Sequence, residues 1–225
     1  MTNDFEGKVV LITGAGKGKG RTLAEEFAKR GASVAANDIS PVNLDELVDQ
    51  SGGRIKAYVD DVAKKVAAQS IVNQVEDDFG RIDILINHAA VEPRVALLDM
   101  DEWDWHRVLD VNLTGVFLMM QSVGRVMRAR GCGVVINLIS ALPLDARADS
   151  ARNKAAYNTS MTGLVALTRS AANELSSFGI HIHAVGTGIE KFHQAESSVP
   201  SEFVDAVMFL CRSTLNGQIV NAEGK

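Results

Sequence analysis

The sequence predicts an α/β fold, a doubly wound parallel sheet of about seven strands in a single domain over residues 1–225. Three observations carry this expectation. Apolar runs of strand length alternate with longer segments of helical period along the chain. The strand candidates are nearly continuous apolar runs, the pattern of a sheet buried on both faces. A glycine-rich turn, TGAGKGKG, joins the first strand candidate to the first helix candidate.

The elements follow in order. KVVLIT (8–13) opens the chain as a strand, and an amphipathic helix over 19–30 follows the glycine-rich turn. ASVAAND (32–38) is the second strand and 41–51 the second helix; RIKAYVD (54–60) and 62–79 repeat the unit. IDILIN (82–87) precedes one long helix over 101–130, and GVVINLIS (133–140) precedes another over 155–178. IHIHAVG (180–186), a helix over 201–212 and GQIVNA (217–222) complete the alternation. The least regular segments, 141–156 and 187–200, each follow a strand, so both belong at the carboxyl edge where such sheets bind ligands.

Composition narrows the function. At 46% hydrophobic and 23% charged residues, the 225-residue chain is an ordinary globular one, able to bury a core as one domain. A net charge of −5 argues against nucleic acid or an anionic membrane as the main partner. MTNDFEGKVVLITG has no basic region followed by an apolar signal core, and its first apolar run is far too short to span a bilayer. Cys132 and Cys211 show no metal-ligand spacing and suggest no disulfide framework. The expected location is the cytoplasm. No linker, repeat or low-complexity tract divides the chain.

The joint VVLITGAGKGKGRTLAEEFAKRG is the strongest local signal. Its glycines let backbone approach a pyrophosphate, and the free N–H groups of the following helix favour anions. It departs from G-x-G-x-x-G, because Lys19 stands where the third glycine would fall; it fits T-G-x-x-x-G-x-G through Thr13, Gly14, Gly18 and Gly20. Asp38 ends the second strand, 18 residues beyond Gly20. A carboxylate there accepts hydrogen bonds from an adenosine ribose and repels a 2′-phosphate, so NAD is favoured over NADP. Lys17 pulls the other way by attracting such a phosphate, although solvated loop charge is at least as good a reading of Lys17 and Lys19.

With these residues in view, the chain resembles the short-chain dehydrogenase/reductase family almost end to end, which implies a Rossmann-type fold. The family's glycine motif falls on Thr13, Gly14, Gly18 and Gly20, and its adenine-contacting acidic residue on Asp61, followed by Val62. Its N-N-A-G motif appears as NHAA, Asn87 to Ala90, with Asn87 and Ala89 matching. The resemblance places the helix asparagine at Asn112, the catalytic serine at Ser140 and the catalytic tyrosine at Tyr157; Gly188 belongs to the turn after the sixth strand. It implies that Tyr157 acts as general acid/base on an alcohol or ketone, that Ser140 orients the substrate oxygen and that Asn112 holds a water. It further implies a homodimer or homotetramer, in which the segments 101–130 and 155–178 pair into a four-helix interface.

Several positions depart from the family's pattern. The lysine expected four residues after the tyrosine is Met161, and the variant position seven residues on is Leu164. A tyrosine titrates near pH ~10, so phenolate chemistry at neutral pH needs a neighbouring cation. Arg169 lies about three turns along the helix. Lys154, three residues before Tyr157, is the other candidate, with a solvated lysine in a charged loop as the plainer reading. His88 and Ala90 replace an asparagine and a glycine, and Thr187 replaces a proline. Only 28 residues separate Gly188 from Gly217, so most of the usual substrate lid is expected to be missing.

Other candidates carry little chemistry. His181 and His183 alternate on one strand without a carboxylate or cysteine pattern to complete a metal site, so packing or surface roles are expected. Trp103 and Trp105 read as core or interface residues. The leading reading is an NAD-dependent oxidoreductase acting on an alcohol or ketone with impaired catalysis. The runner-up is a catalytically inactive NAD-binding regulator or partner subunit.

Overall fold

In the computed structural model, residues 3–140, 153–187 and 199–222 are described. Among them, one parallel sheet holds β1 (Val9–Thr13), β2 (Ser33–Asp38), β3 (Ile55–Val59), β4 (Ile84–Asn87), β5 (Gly133–Ser140), β6 (Ile180–Thr187) and β7 (Ile219–Asn221). Their order is β3-β2-β1-β4-β5-β6-β7. The doubly wound, Rossmann-type expectation is borne out.

Alternation along each strand divides the apolar residues between two cores. Val9 and Leu11 face a layer built from α3 (Lys65–Phe79), α5 (Val116–Arg130) and α6 (Ala155–Leu175). Val10 and Ile12 face a second layer, from α1 (Gly18–Lys29), α2 (Pro41–Asp49) and α7 (Ser201–Leu210). Both faces are therefore covered, which is why the strand runs lack a polar alternation.

Register sets the carboxyl ends of the central strands level. Thr13 pairs with both Asn37 and Asn87, and Asn87 pairs with Asn137. The chain winds outward from β1 toward β3, then returns to begin the other half at β4, so the crevice opens between β1 and β4.

One element differs from its expectation. The single helix over 101–130 is α4 (Glu102–Leu109), a π-helical turn over Asp110–Gly115, and α5. Asp101 starts α4 by accepting a hydrogen bond from the Asp104 N–H at 2.7 Å. The π turn is a tertiary choice that periodicity does not reveal. It carries Asn112 inward, where its side chain satisfies both backbone groups of Val91.

Candidate active site

At the crevice between β1 and β4 lies a cleft of about 360 Å³, lined on one side by Gly14, Lys17 and Gly18 and on the other by His88, Ala89 and Ala90. Gly14 has φ +66, and a Cβ there would sit 2.8 Å from the Ala89 Cα, so a side chain would force the two walls apart. The walls are also tied by hydrogen bonds. Thr13 Oγ1 accepts from the backbone N–H groups of His88 (3.1 Å) and Ala89 (3.2 Å). His88 Nδ1 meets the Gly14 carbonyl at 2.9 Å. At Gly20 an added Cβ would collide with that carbonyl and the His88 ring, so Gly20 allows the fit and does not line the cleft.

Charge in the cleft is mixed. The α1 N-terminus has no side-chain cap and no acidic residue in its first turn, so its N–H groups are available to an anion. Asp38 also lines the cleft, as do Asp61 and Val62. Its Oδ2 accepts from the Gly16 N–H and its Oδ1 from the Ser40 N–H, both at 3.0 Å, so the carboxylate also braces the glycine turn. Lys17 is exposed at the rim, in keeping with a solvated loop charge. The same reading fails for Lys19. It lies inside α1, only 3% exposed, with its ammonium 5.5 Å from the centre of the Phe203 ring. Packing from α7 covers it, a long-range contact that local sequence cannot show.

Ser140 ends β5 and Tyr157 lies in the first turn of α6, both about 1% exposed. The Ser140 hydroxyl acts to lower the pKa of the phenol. Burial is the larger effect and pushes the Tyr157 pKa well above its ordinary value, with the charge of Glu92 adding to the rise. One helical turn further on, Met161 is packed into the core with 1% exposure.

Asn112 joins this group as a clamp. Its Oδ1 accepts from the Val91 N–H (2.8 Å), while its Nδ2 donates to the Val91 carbonyl (3.0 Å) and to Ser160 Oγ (3.1 Å). Ser160 Oγ donates in turn to the Tyr157 carbonyl at 2.7 Å. A second polar ladder ties β4 to β5 and α6. Asn87 Nδ2 donates to Asn137 Oδ1, and Asn137 Nδ2 donates to Thr168 Oγ1, each at 2.9 Å. The Asn87 Oδ1 is buried and meets no donor among the described residues.

Lys154 overturns the expectation of a solvated loop lysine. It sits at the N-cap of α6, 4% exposed, with its ammonium 2.6 Å from Glu92 Oε1. Glu92 is itself buried and also meets Arg94 at 3.3 Å. Sequence reading missed Glu92; its position directly after Val91, which follows NHAA, was the available signal. Gly188 and the segments 141–152 and 188–198 lie outside the described residues.

A glycine-turn cleft and a buried serine–tyrosine pair thus share one sheet edge. Compared with known proteins, residues 8–201 match the family model described as short chain dehydrogenase. The chain belongs to the short chain dehydrogenase family. It is similar to an uncharacterized oxidoreductase of Thermotoga maritima, 38% identical over 82% of this chain and 72% of the relative. It is 32% identical to the 3-oxoacyl-[acyl-carrier-protein] reductase FabG of the same organism, over 98% of each chain. Among solved structures, the Brucella melitensis 3-ketoacyl-(acyl-carrier-protein) reductase complexed with NADH superposes with a TM-score of 0.89 at 26% identity. That alignment covers 97% of this chain and 98% of the other. Within the short chain dehydrogenase family, the sequence-predicted Asn112 is joined through Ser160 to the Tyr157 backbone carbonyl, and Ser140 is buried at the end of β5. Thr13, Gly14, Lys17, Gly18, Asp38, Asp61, Val62 and Ala89 form or brace the cleft. Among the described residues no group of His, Cys, Asp or Glu could hold a metal ion. No described helix is long and apolar enough to cross a membrane.

Proposed function

We propose that this protein is an NAD-dependent oxidoreductase acting on a small alcohol or ketone, with proton transfer slowed at Tyr157. The observation that carries the reading is the burial of Ser140, at the carboxyl end of β5, and of Tyr157, in the first turn of α6, at the sheet edge where the glycine-turn cleft opens. The residues fit a nicotinamide dinucleotide. The uncapped α1 N-terminus suits its pyrophosphate, and the Asp38 carboxylate suits an unphosphorylated ribose. The buried, unmatched Asn87 Oδ1 is an acceptor that a ligand donor would satisfy.

When bound, the nicotinamide ring supplies or accepts the hydride. The chain's own part is to hold the substrate oxygen with the Ser140 hydroxyl and to move a proton at the Tyr157 phenol. Burial and the Glu92 charge oppose phenolate formation, and Met161 offers no charge to offset them. Loss of effective acid/base catalysis lowers rates by about 10²–10⁴-fold. The short segment between Gly188 and Gly217 further supports an open, wet pocket. The same observations favour a second reading, a catalytically silent NAD-binding regulator or partner subunit. We place either form in the cytoplasm as a homodimer or homotetramer, on the family's precedent.

Titration with NADH and then NADPH, read by energy transfer from Trp103 and Trp105, tests the shared premise. Saturable binding with NADH preferred is expected. No binding of either, with no thermal stabilisation, sinks both readings. Given binding, turnover against a ketone panel separates the slow enzyme from the silent one.

A further inference from the structure

A dinucleotide lying in this cleft runs outward along the sheet edge. Its pyrophosphate belongs at the uncapped α1 N-terminus and its adenosine ribose at Asp38, which ends β2. The adenine base then falls beyond Asp38 toward the end of β3, the strand next to β2 on that side. Two apolar walls stand there: Ile39, 67% exposed, follows β2, and Val62 follows β3. The π turn closes a third side. A Cβ added at Gly115 would lie 3.3 Å from the Val62 carbonyl, so the turn abuts the segment after β3, and Val111 of that turn lines the cleft.

Arg107 of α4, one helical turn before Val111, also lines the cleft. Its guanidinium carbon lies 5.5 Å from the centre of the Trp103 ring, itself 65% exposed one turn earlier on the same helix. Among the described residues no carboxylate holds this guanidinium. The nearby acids of the cleft are engaged by backbone: Asp38 accepts from the Gly16 and Ser40 N–H groups, and Asp61 from the Ala63 N–H. A planar cation backed by an indole can stack a second aromatic ring on its other face. We infer that Arg107 is a specificity-determining residue for the cofactor, stacking its guanidinium on the adenine base with Trp103 behind it. The inference rests on the nicotinamide dinucleotide reading above and adds the group that covers the base. A charge contact with the pyrophosphate fits the layout less well. The pyrophosphate belongs after β1, two strands away from the segment after β3 that the π turn abuts.

Arg107 and Trp103 are exposed on α4, so their variants leave both cores intact. NADH binding is measured by isothermal titration calorimetry for the parent, Arg107→Ala, Arg107→Lys, Trp103→Ala and the Trp103→Ala, Arg107→Ala double variant. Arg107→Ala should raise the Kd about fivefold, and Arg107→Lys nearly as much, because lysine keeps the charge and loses the plane. Trp103→Ala should weaken binding about twofold by itself and add nothing to Arg107→Ala, as two residues acting through one contact do. If Arg107→Ala binds NADH as tightly as the parent, this inference is overturned alone, since the cofactor reading survives. Arg107→Lys level with the parent shows a contact of charge instead of stacking and overturns it too. Equal losses from Trp103→Ala in both backgrounds remove Trp103 from the contact and overturn that half. A parent that binds no NADH overturns the dinucleotide reading and this inference with it, so the parent tells the two failures apart.

Discussion

At Asp38 one carboxylate serves two purposes. It braces the glycine turn through the Gly16 and Ser40 N–H groups, and it presents negative charge to the end of the cleft. Asp38→Ala should therefore weaken NADH binding about tenfold, narrow or reverse the preference over NADPH, and lower the melting temperature; paired fluorescence and thermal titrations check this. An unchanged preference would move cofactor selection to other residues. Met161 poses the opposite problem. Its site is apolar and 1% exposed, so Met161→Lys costs stability by burying an ammonium. If the missing cation limits catalysis, the variant should still gain about 10²-fold in ketone reduction, measured under conditions where it stays folded. A folded, NADH-binding variant without that gain would locate the defect elsewhere.

At the level of elements, polar ladders hold the site together. Asn137 bridges Asn87 on β4 to Thr168 on α6 at zero exposure. Asn137→Ala strands the buried Asn87 amide and removes the donor to Thr168 Oγ1, which keeps its own bond to the Leu164 carbonyl, so chemical denaturation should show a loss of about 2–4 kcal/mol. Strand β6 carries a pH-sensitive group. Burial first, and the neighbouring His181 second, push His183 down to about 4, so the folded protein keeps it neutral. The unfolded chain takes up that proton near pH 6.5, which makes the contribution complete above about 6.5 and progressively lost as pH falls toward 4. Stability should decline by up to about 1.4 kcal/mol per pH unit across that window, and His183→Leu should flatten the profile. A wild-type profile flat between pH 6.5 and 5 would contradict the buried neutral histidine.

For the whole molecule, the two cores and the level strand ends make one sheet edge the place where binding is felt. A ligand that fills the cleft spans the walls joined at Gly14 and Ala89 and should stabilise the fold globally. NADH at about 100 times its Kd should raise the unfolding free energy by about 2.7 kcal/mol, with NADPH at the same concentration giving less. Much of this architecture was legible in advance. The strand runs and the helix starts lie within about three residues of their expected places, and Gly14, Gly18, Asp38 and Asp61 line one cleft. These features are local: a strand buried on both faces is apolar throughout, and a glycine turn is visible in a few residues.

The features that were not legible depend on contacts between distant segments. The π turn at Asp110–Gly115 exists because Asn112 meets Val91 across the fold. Lys19 is buried because Phe203, far along the chain, packs over it. Lys154 and Glu92 are 62 positions apart, and only the winding of the sheet brings them to 2.6 Å beside Tyr157. By itself the sequence determined the alternation of strands and helices, the glycine turn, the acidic end of β2 and the methionine at position 161, because backbone sterics and apolar period act over short stretches. The tertiary structure alone decided the electrostatic surroundings of the tyrosine, since burial and charge proximity are properties of the packed molecule.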